Sequence, residues 1–197
     1  NMEEKIVKVG YGNLNKIEVG GTRPLAFIGG PCAIESRDHA LVMAESISEI
    51  CYKLDIPWIY KSCYDKDCRS SPKSFHGVGL DKGLKILSEV RETFKVPVVS
   101  DFSDPSWADA TGEVCDMVQV PAYLCRQTSI LRAAANTGRP ILVKKGQFMS
   151  PWNMKNSCKK IESFGGNQII LADRGTFFGY NMLINDMKNF PIMAETG

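Results

Sequence analysis

Five cations, Lys61, Lys66, Arg126, Lys144 and Arg174, each follow a short apolar run. In YKSCYDKDCRSSPKSFHGVG, Tyr60 to Gly79, Lys61, Lys66 and Arg69 bunch together with Ser70 and Ser71 adjacent. Cations, hydroxyls and free backbone N–H groups after a strand make an anion site; a solvated charged loop is the alternative. In VQVPAYLCRQT, Gln119 sits inside an apolar run, where a buried amide must find partners, and Arg126 follows a proline-bent segment. A core amide and a surface arginine account for them equally. In ILVKKGQF, Lys144 ends a buried strand, a costly position unless an anion or a neighbouring carboxylate pairs with it. In LADRGTFFGYN, Asp173 and Arg174 stand at another strand end, where Arg174 either meets a ligand or sits in an internal salt bridge. The carboxylates near these cations are Glu35, Asp65, Asp101 and Asp173. Positive charge is in excess, which points to a substrate with more than one anionic group, such as phosphates plus a carboxylate.

Cys32 lies in FIGGPCAIES, where an apolar run gives way to Gly29-Gly30-Pro31. It reads as a buried small hydrophobe, half of a disulfide or a metal ligand. The 7 cysteines are odd in number and scattered, with no CxxC pair, which suits reduced thiols in a cytoplasm and argues against the disulfide. From spacing alone a buried inert thiol is favoured, and one soft donor stays open. With 2 histidines, His39 in a predicted helix and His76 in the basic loop, no His-rich metal site can be built.

The elements that must carry these residues alternate regularly. Two β-leaning pieces, residues 5–9 and 16–19, flank Gly10, Gly12 and Asn13 and predict an N-terminal hairpin. Strand runs at 25–28, 58–60, 96–100, 117–120, 141–143 and 168–171 then alternate with helical patterns at 39–54, 80–94, 105–112, 127–136, 151–164 and 181–187. Asp38 is the expected N-cap of the first helix. The strand runs are rich in Val and Ile without alternation, as strands buried on both faces should be. Six βα units predict a parallel α/β protein, and a (β/α)8 TIM-type barrel is preferred to a doubly wound sheet because no GxGxxG loop occurs. The chain of 197 residues is expected to be a single domain: a hairpin over 1–20, then barrel units one to six over 21–197, with two further units outside the sequence. Its 44% hydrophobic and 23% charged residues and net charge of +2 suit a soluble protein with neither a nucleic-acid surface nor a membrane span.

GGPCAIES, KSCYDKDCRSS, VQVPAYLCRQT, VKKGQF, DRGTFFGYN and NFPIM together resemble the 3-deoxy-D-manno-octulosonate 8-phosphate synthases, from about Leu25 onward. That family also holds the 3-deoxy-arabino-heptulosonate 7-phosphate synthases. The resemblance implies a usually tetrameric (β/α)8 enzyme that condenses phosphoenolpyruvate with arabinose 5-phosphate for lipopolysaccharide synthesis. It implies that Lys61, Lys66, Gln119, Lys144 and Arg174 hold phosphoenolpyruvate, with the three lysines as the catalytic cations. Arg69 and Ser70 would hold the sugar phosphate, Arg126 would bridge toward it, and Asp101 would join the substrate site. Cysteine at position 32 implies the metal-dependent type, with Cys32 one ligand of a divalent ion (Mn, Fe, Zn or similar) and its partners in the last two barrel units. Cys63 and Cys68 stand where the family has serine and asparagine, and Asp173 where it has glutamate. The alternatives are a heptulosonate synthase using erythrose 4-phosphate, toward which RSSPKSFHGVG leans, and a non-catalytic barrel that binds phospho-ligands.

Overall fold

A computed structural model describes residues 5–196. The chain opens with an antiparallel hairpin, β1 (Val7–Val9) and β2 (Ile17–Val19), in which Lys8 faces Glu18. Six βα units follow: β3 (Phe27–Gly29) and α1 (Arg37–Lys53), β4 (Trp58–Lys61) and α2 (Leu80–Phe94), β5 (Val98–Asp101) and α3 (Ala108–Val114), β6 (Met117–Val120) and α4 (Thr128–Asn136), β7 (Ile141–Lys144) and α5 (Met154–Ser163), then β8 (Ile169–Ala172). A short hairpin, β9 (Thr176–Phe177) with β10 (Leu183–Ile184), intervenes before α6 (Asn189–Ala194).

Strands β3 to β8 form one parallel sheet in chain order. A doubly wound sheet reverses its direction of growth at a switch point, and this one never does. Each right-handed crossover adds the next strand on the same side, so the sheet winds as part of a (β/α) barrel, as the sequence led us to expect.

Alternation along each strand divides the apolar residues into two cores. Tyr60, Val98, Val118, Ile141 and Val143 point outward and pack with helix residues such as Ala44, Leu87, Leu131 and Ile161. Ile59, Val99, Met117 and Leu142 point inward and pack together with Val7 and Val9 of the first hairpin. The hairpin thus plugs the N-terminal end of the sheet. Asp116, at the foot of β6, ties it there by accepting from Tyr11 N at 3.0 Å and from Arg91 Nε at 3.0 Å. Arg91 and Arg139 each lie 3.8 Å from the centre of the Tyr11 ring. With the hairpin at its foot, the sheet carries its last inward residues at the C-terminal end.

Two local expectations are corrected. Ser36, not Asp38, caps α1: its backbone is extended and its hydroxyl accepts from His39 N at 3.1 Å. Asp38 lies in the first helical turn, where its charge favours the positive end of the helix dipole. The helix expected at 181–187 is instead the turn and second strand of the β9–β10 hairpin. Gly179 and Asn181 take positive φ there, and Phe178 N donates to Met182 O at 3.0 Å, so the chain reverses where a helix would continue. Residues Pro105–Trp107 and Pro151–Asn153 form 3-10 turns leading into α3 and α5, a tighter start than the single helices expected.

Candidate functional site

The period of two that buries Ile59, Val99, Met117 and Leu142 makes Lys61, Asp101, Gln119 and Lys144 the last inward residues of β4 to β7. Four polar side chains therefore stand on an apolar floor, supplied by adjacent strands. Asp101 and Gln119 are direct partners across β5 and β6.

Asp101 organises the left half of this group. Lys66 Nζ lies 3.4 Å from its Oδ2, with both side chains about one-tenth exposed. The Cys63 thiol donates to its Oδ1, and Lys61 Nζ donates to Cys63 Sγ at 3.4 Å. Burial pushes the Asp101 carboxyl upward, but Lys61, Lys66 and the Cys63 hydrogen bond outweigh it and hold the group below its ordinary value. Burial likewise works against the Lys66 ammonium, yet Asp101 first, and then Cys63, raise it above the usual lysine range. Burial and the Asp101 charge raise the Cys63 thiol, so it remains protonated and acts as a donor. Lys66 is a fixed cation and Asp101 a fixed anion at neutral pH.

Lys144 behaves differently. Among the described residues no carboxylate lies within 4.0 Å of its nitrogen. Burial, and after it the charge of Lys61, lower its affinity for a proton, and the field of Asp101 does not restore it. Gln119 is 1% exposed and its Oε1 has no hydrogen-bond partner among the described residues. A cation without a counter-ion and an amide oxygen without a donor share one mouth, which is what a site built for an anion with a hydrogen to give should look like.

Asp173, a carboxylate that might have balanced Lys144 or Arg174, is engaged elsewhere. Lys145 Nζ lies 3.3 Å from Asp173 Oδ1 and within 3.2 Å of the carbonyl oxygens of Gly146 and Gly175. Asn189 Nδ2 donates to the same carboxylate at 3.2 Å. The excess of positive charge inferred from sequence therefore survives this possible counter-ion. Neighbours in sequence serve opposite purposes: Lys144 faces the mouth, while Lys145 turns into the packing behind it.

The remaining candidates surround this group rather than join it. Arg69 and Ser70 are exposed on the long β4–α2 loop, which Lys66 N anchors by donating to His76 O at 2.6 Å. Arg174 is exposed just beyond β8. Arg126 is exposed before α4 and lines a separate pocket of about 210 Å³ with Asn153, Asn156 and Lys160. Cys32 is exposed beyond β3, not buried as spacing alone favoured, and its charged form would act on Lys66. Gly30 just before it lies so close to the β4 end that a Cβ would collide with the Lys61 carbonyl oxygen. Among the described residues no three His, Cys, Asp or Glu side chains gather in a group able to hold a metal ion. Cys32 offers one soft donor, and the described residues do not supply the rest of a metal site.

Three residues at or behind this mouth carry no role in the sequence reading. Lys145 is completely buried, and alternation past Lys144 was the signal that it points outward from the barrel. Tyr123 lines a crevice of about 110 Å³ together with Lys66, Cys68 and Asp101. Gln147, 2% exposed, donates through Nε2 to the Tyr123 hydroxyl at 3.4 Å. Its place in the KKGQF motif was visible, but nothing in the spacing linked it to Tyr123.

The family model described as DAHP synthetase I family matches residues 4–197. The chain is 50% identical over 192 residues to the 2-dehydro-3-deoxyphosphooctonate aldolase of Rickettsia rickettsii (strain Sheila Smith). It is equally similar to the protein of that name from Rickettsia conorii, and 48% identical to the one from Rickettsia felis. Each alignment covers 98% of this chain and 68% of the relative.

Proposed function

Because this chain belongs to the DAHP synthetase I family, we propose that it serves as a 3-deoxy-8-phosphooctulonate synthase, condensing phosphoenolpyruvate with arabinose 5-phosphate. The observation that carries the reading is Lys144: a half-buried cation beside Lys61 and Lys66, with no carboxylate within 4.0 Å among the described residues. A phosphate or carboxylate of the substrate supplies the missing charge. The name shared by the relatives supports the octonate product, and no observation favours erythrose 4-phosphate or a purely binding role.

C3 of phosphoenolpyruvate attacks the sugar aldehyde carbon, forming the new C–C bond as the aldehyde oxygen takes up a proton. Water adds at C2, and the C2–O bond to phosphate breaks, leaving the 2-keto acid and inorganic phosphate. Lys61, Lys66 and Lys144 hold the phosphate and carboxylate of phosphoenolpyruvate and reduce their repulsion toward the second phosphorylated substrate. Gln119 Oε1 accepts a hydrogen from the reacting water or a substrate hydroxyl. Asp101, ionised and fixed between two lysines, orients Lys66 and accepts from the sugar. Arg69 and Ser70 receive the sugar phosphate, and Arg126 and Arg174 extend the cationic rim. Cys32 is assigned as a single thiolate donor to a divalent ion. A cytoplasmic homotetramer working in lipopolysaccharide synthesis completes the reading. No helix among the described residues is long and apolar enough to cross a membrane.

The test is phosphate release from phosphoenolpyruvate on addition of arabinose 5-phosphate, with erythrose 4-phosphate in parallel. Release with the pentose phosphate alone is expected. Release only with the tetrose phosphate, or binding of phosphoenolpyruvate without release with either sugar, would overturn the assignment.

A further inference from the structure

The β4–β5 register continues past the end of β4. Lys61 lies opposite Val99, and Ser62 N still donates to Val99 O at 3.3 Å. Cys63 therefore comes level with Asp101, on the same face as Lys61. From the other side a parallel bridge to Ala33, and the bond from Ile34 N to Cys63 O at 2.9 Å, fix its backbone. Its side chain is wholly buried. The thiol sits between a cation and an anion: Lys61 Nζ donates to Cys63 Sγ at 3.4 Å, and the thiol donates to Asp101 Oδ1. Asp101 Oδ2 accepts from Lys66 Nζ at 3.4 Å. Among the described residues Lys61 Nζ has no other hydrogen-bond acceptor, and neither Asp101 oxygen comes within 4.0 Å of it. Yet the two charges act on each other. Burial raises the Asp101 carboxyl, and Lys61 is foremost among the groups that bring it below its ordinary value. A lysine stem is flexible, and a carboxylate is a far better acceptor than sulfur. With nothing between them Lys61 would close on Asp101, and its charge would be neutralised there.

We propose that Cys63 is a positioning residue for Lys61: its thiol, bridging the ammonium and the Asp101 carboxylate, keeps the two apart and leaves the Lys61 charge available to the anionic groups of phosphoenolpyruvate. The inference rests on the synthase reading and adds a residue that acts through Lys61. A serine hydroxyl can make the same two bonds, accepting from the ammonium and donating to the carboxylate, whereas alanine can make neither.

The experiment measures phosphoenolpyruvate affinity by calorimetry in the parent, Cys63→Ala and Cys63→Ser. Cys63→Ala removes the bridge and is expected to bind about tenfold more weakly, the effect of losing one charge-assisted contact. Cys63→Ser should recover most of the affinity. A packing role would not give that recovery, because serine restores the bonds but little of the sulfur's volume. In the Asp101→Asn background Cys63→Ala should cost less than about twofold, since Lys61 then has no carboxylate to close on. If the alanine variant does not fold, Cys63→Val, which fills the space without either bond, takes its place with the same losses expected. Parent-like affinity in Cys63→Ala, no recovery in Cys63→Ser, or an equal loss with and without the Asp101 carboxylate overturns the inference and leaves the synthase reading intact. A parent that binds no phosphoenolpyruvate overturns both.

Discussion

Lys145 Nζ lies 3.3 Å from Asp173 Oδ1, and neither side chain reaches solvent. The pair joins the segment after β7 to the segment after β8, so Lys144 and Arg174, the next residues in sequence, are presented from one braced unit. A buried charge whose partner is removed has no water to turn to. Lys145→Met should therefore lower the unfolding free energy by about 3–5 kcal/mol, read as a fall in the denaturant midpoint at constant slope. Replacing both members, Lys145→Met with Asp173→Leu, should recover much of that loss. A double variant as unstable as the single one would show that the carbonyl contacts of Lys145, and not the charge pair, hold the two segments.

Lys144 makes the opposite prediction. Its folded-state proton affinity lies below that of an ordinary lysine, first through burial and then through Lys61. A charged group disfavoured in the folded state takes stability away below the folded pKa, and the loss disappears as pH rises through that value. Lys144→Met should unfold at no lower denaturant concentration than the parent. Its affinity for phosphoenolpyruvate should nevertheless fall at least about tenfold, since one charge-assisted contact is lost. In the parent, affinity should decline with rising pH earlier than an ordinary, solvent-exposed lysine would allow, and Lys144→Arg should remove that decline. Titrating phosphoenolpyruvate by calorimetry across alkaline pH checks both, and an identical profile in Lys144→Arg would assign the decline to another group.

What the sequence revealed follows from how local each signal is. Helix α2 was readable to its bounds because Leu80, Leu84, Leu87 and Val90 recur on one face. The inward position of Lys61, Asp101, Gln119 and Lys144 follows from strand alternation once the strand ends are known. The β9–β10 hairpin was missed because GYNMLIND has the apolar content of a short helix, and its reversal depends on the backbone at Gly179 and Asn181. The α1 cap was misplaced because Ser36 and Asp38 both suit the position, and only the extended backbone at Ser36 decides between them. Ser36→Ala should therefore cost about 1 kcal/mol of stability, while Asp38→Ala should cost only a few tenths. The reverse order in thermal unfolding would restore Asp38 as the cap. Pairings such as Lys145 with Asp173 and Gln147 with Tyr123 join residues from different βα units, so no window of sequence contains them.

Asp101 provides a test of how the left half of the site is held. Its carboxyl stays below the ordinary value of 3.8 because Lys61, Lys66 and the Cys63 thiol prevail over burial. A depressed carboxylate contributes stability above its unfolded-state value, and the contribution disappears as pH falls through the folded one. Asp101→Asn also leaves Lys66, about one-tenth exposed, without its counter-ion. The variant should be less stable than the parent by about 2–4 kcal/mol at neutral pH. The difference should shrink below about pH 4, where the unfolded chain takes up a proton at Asp101 that the folded protein still excludes. Activity should fall further than stability explains, because Lys66 loses the partner that orients it toward phosphoenolpyruvate. Chemical denaturation at several pH values, with phosphate release measured where both proteins remain folded, separates the two effects. A stability gap that stays constant into acid would mean that Asp101 acts through packing and its hydrogen bond with Cys63 rather than through its charge.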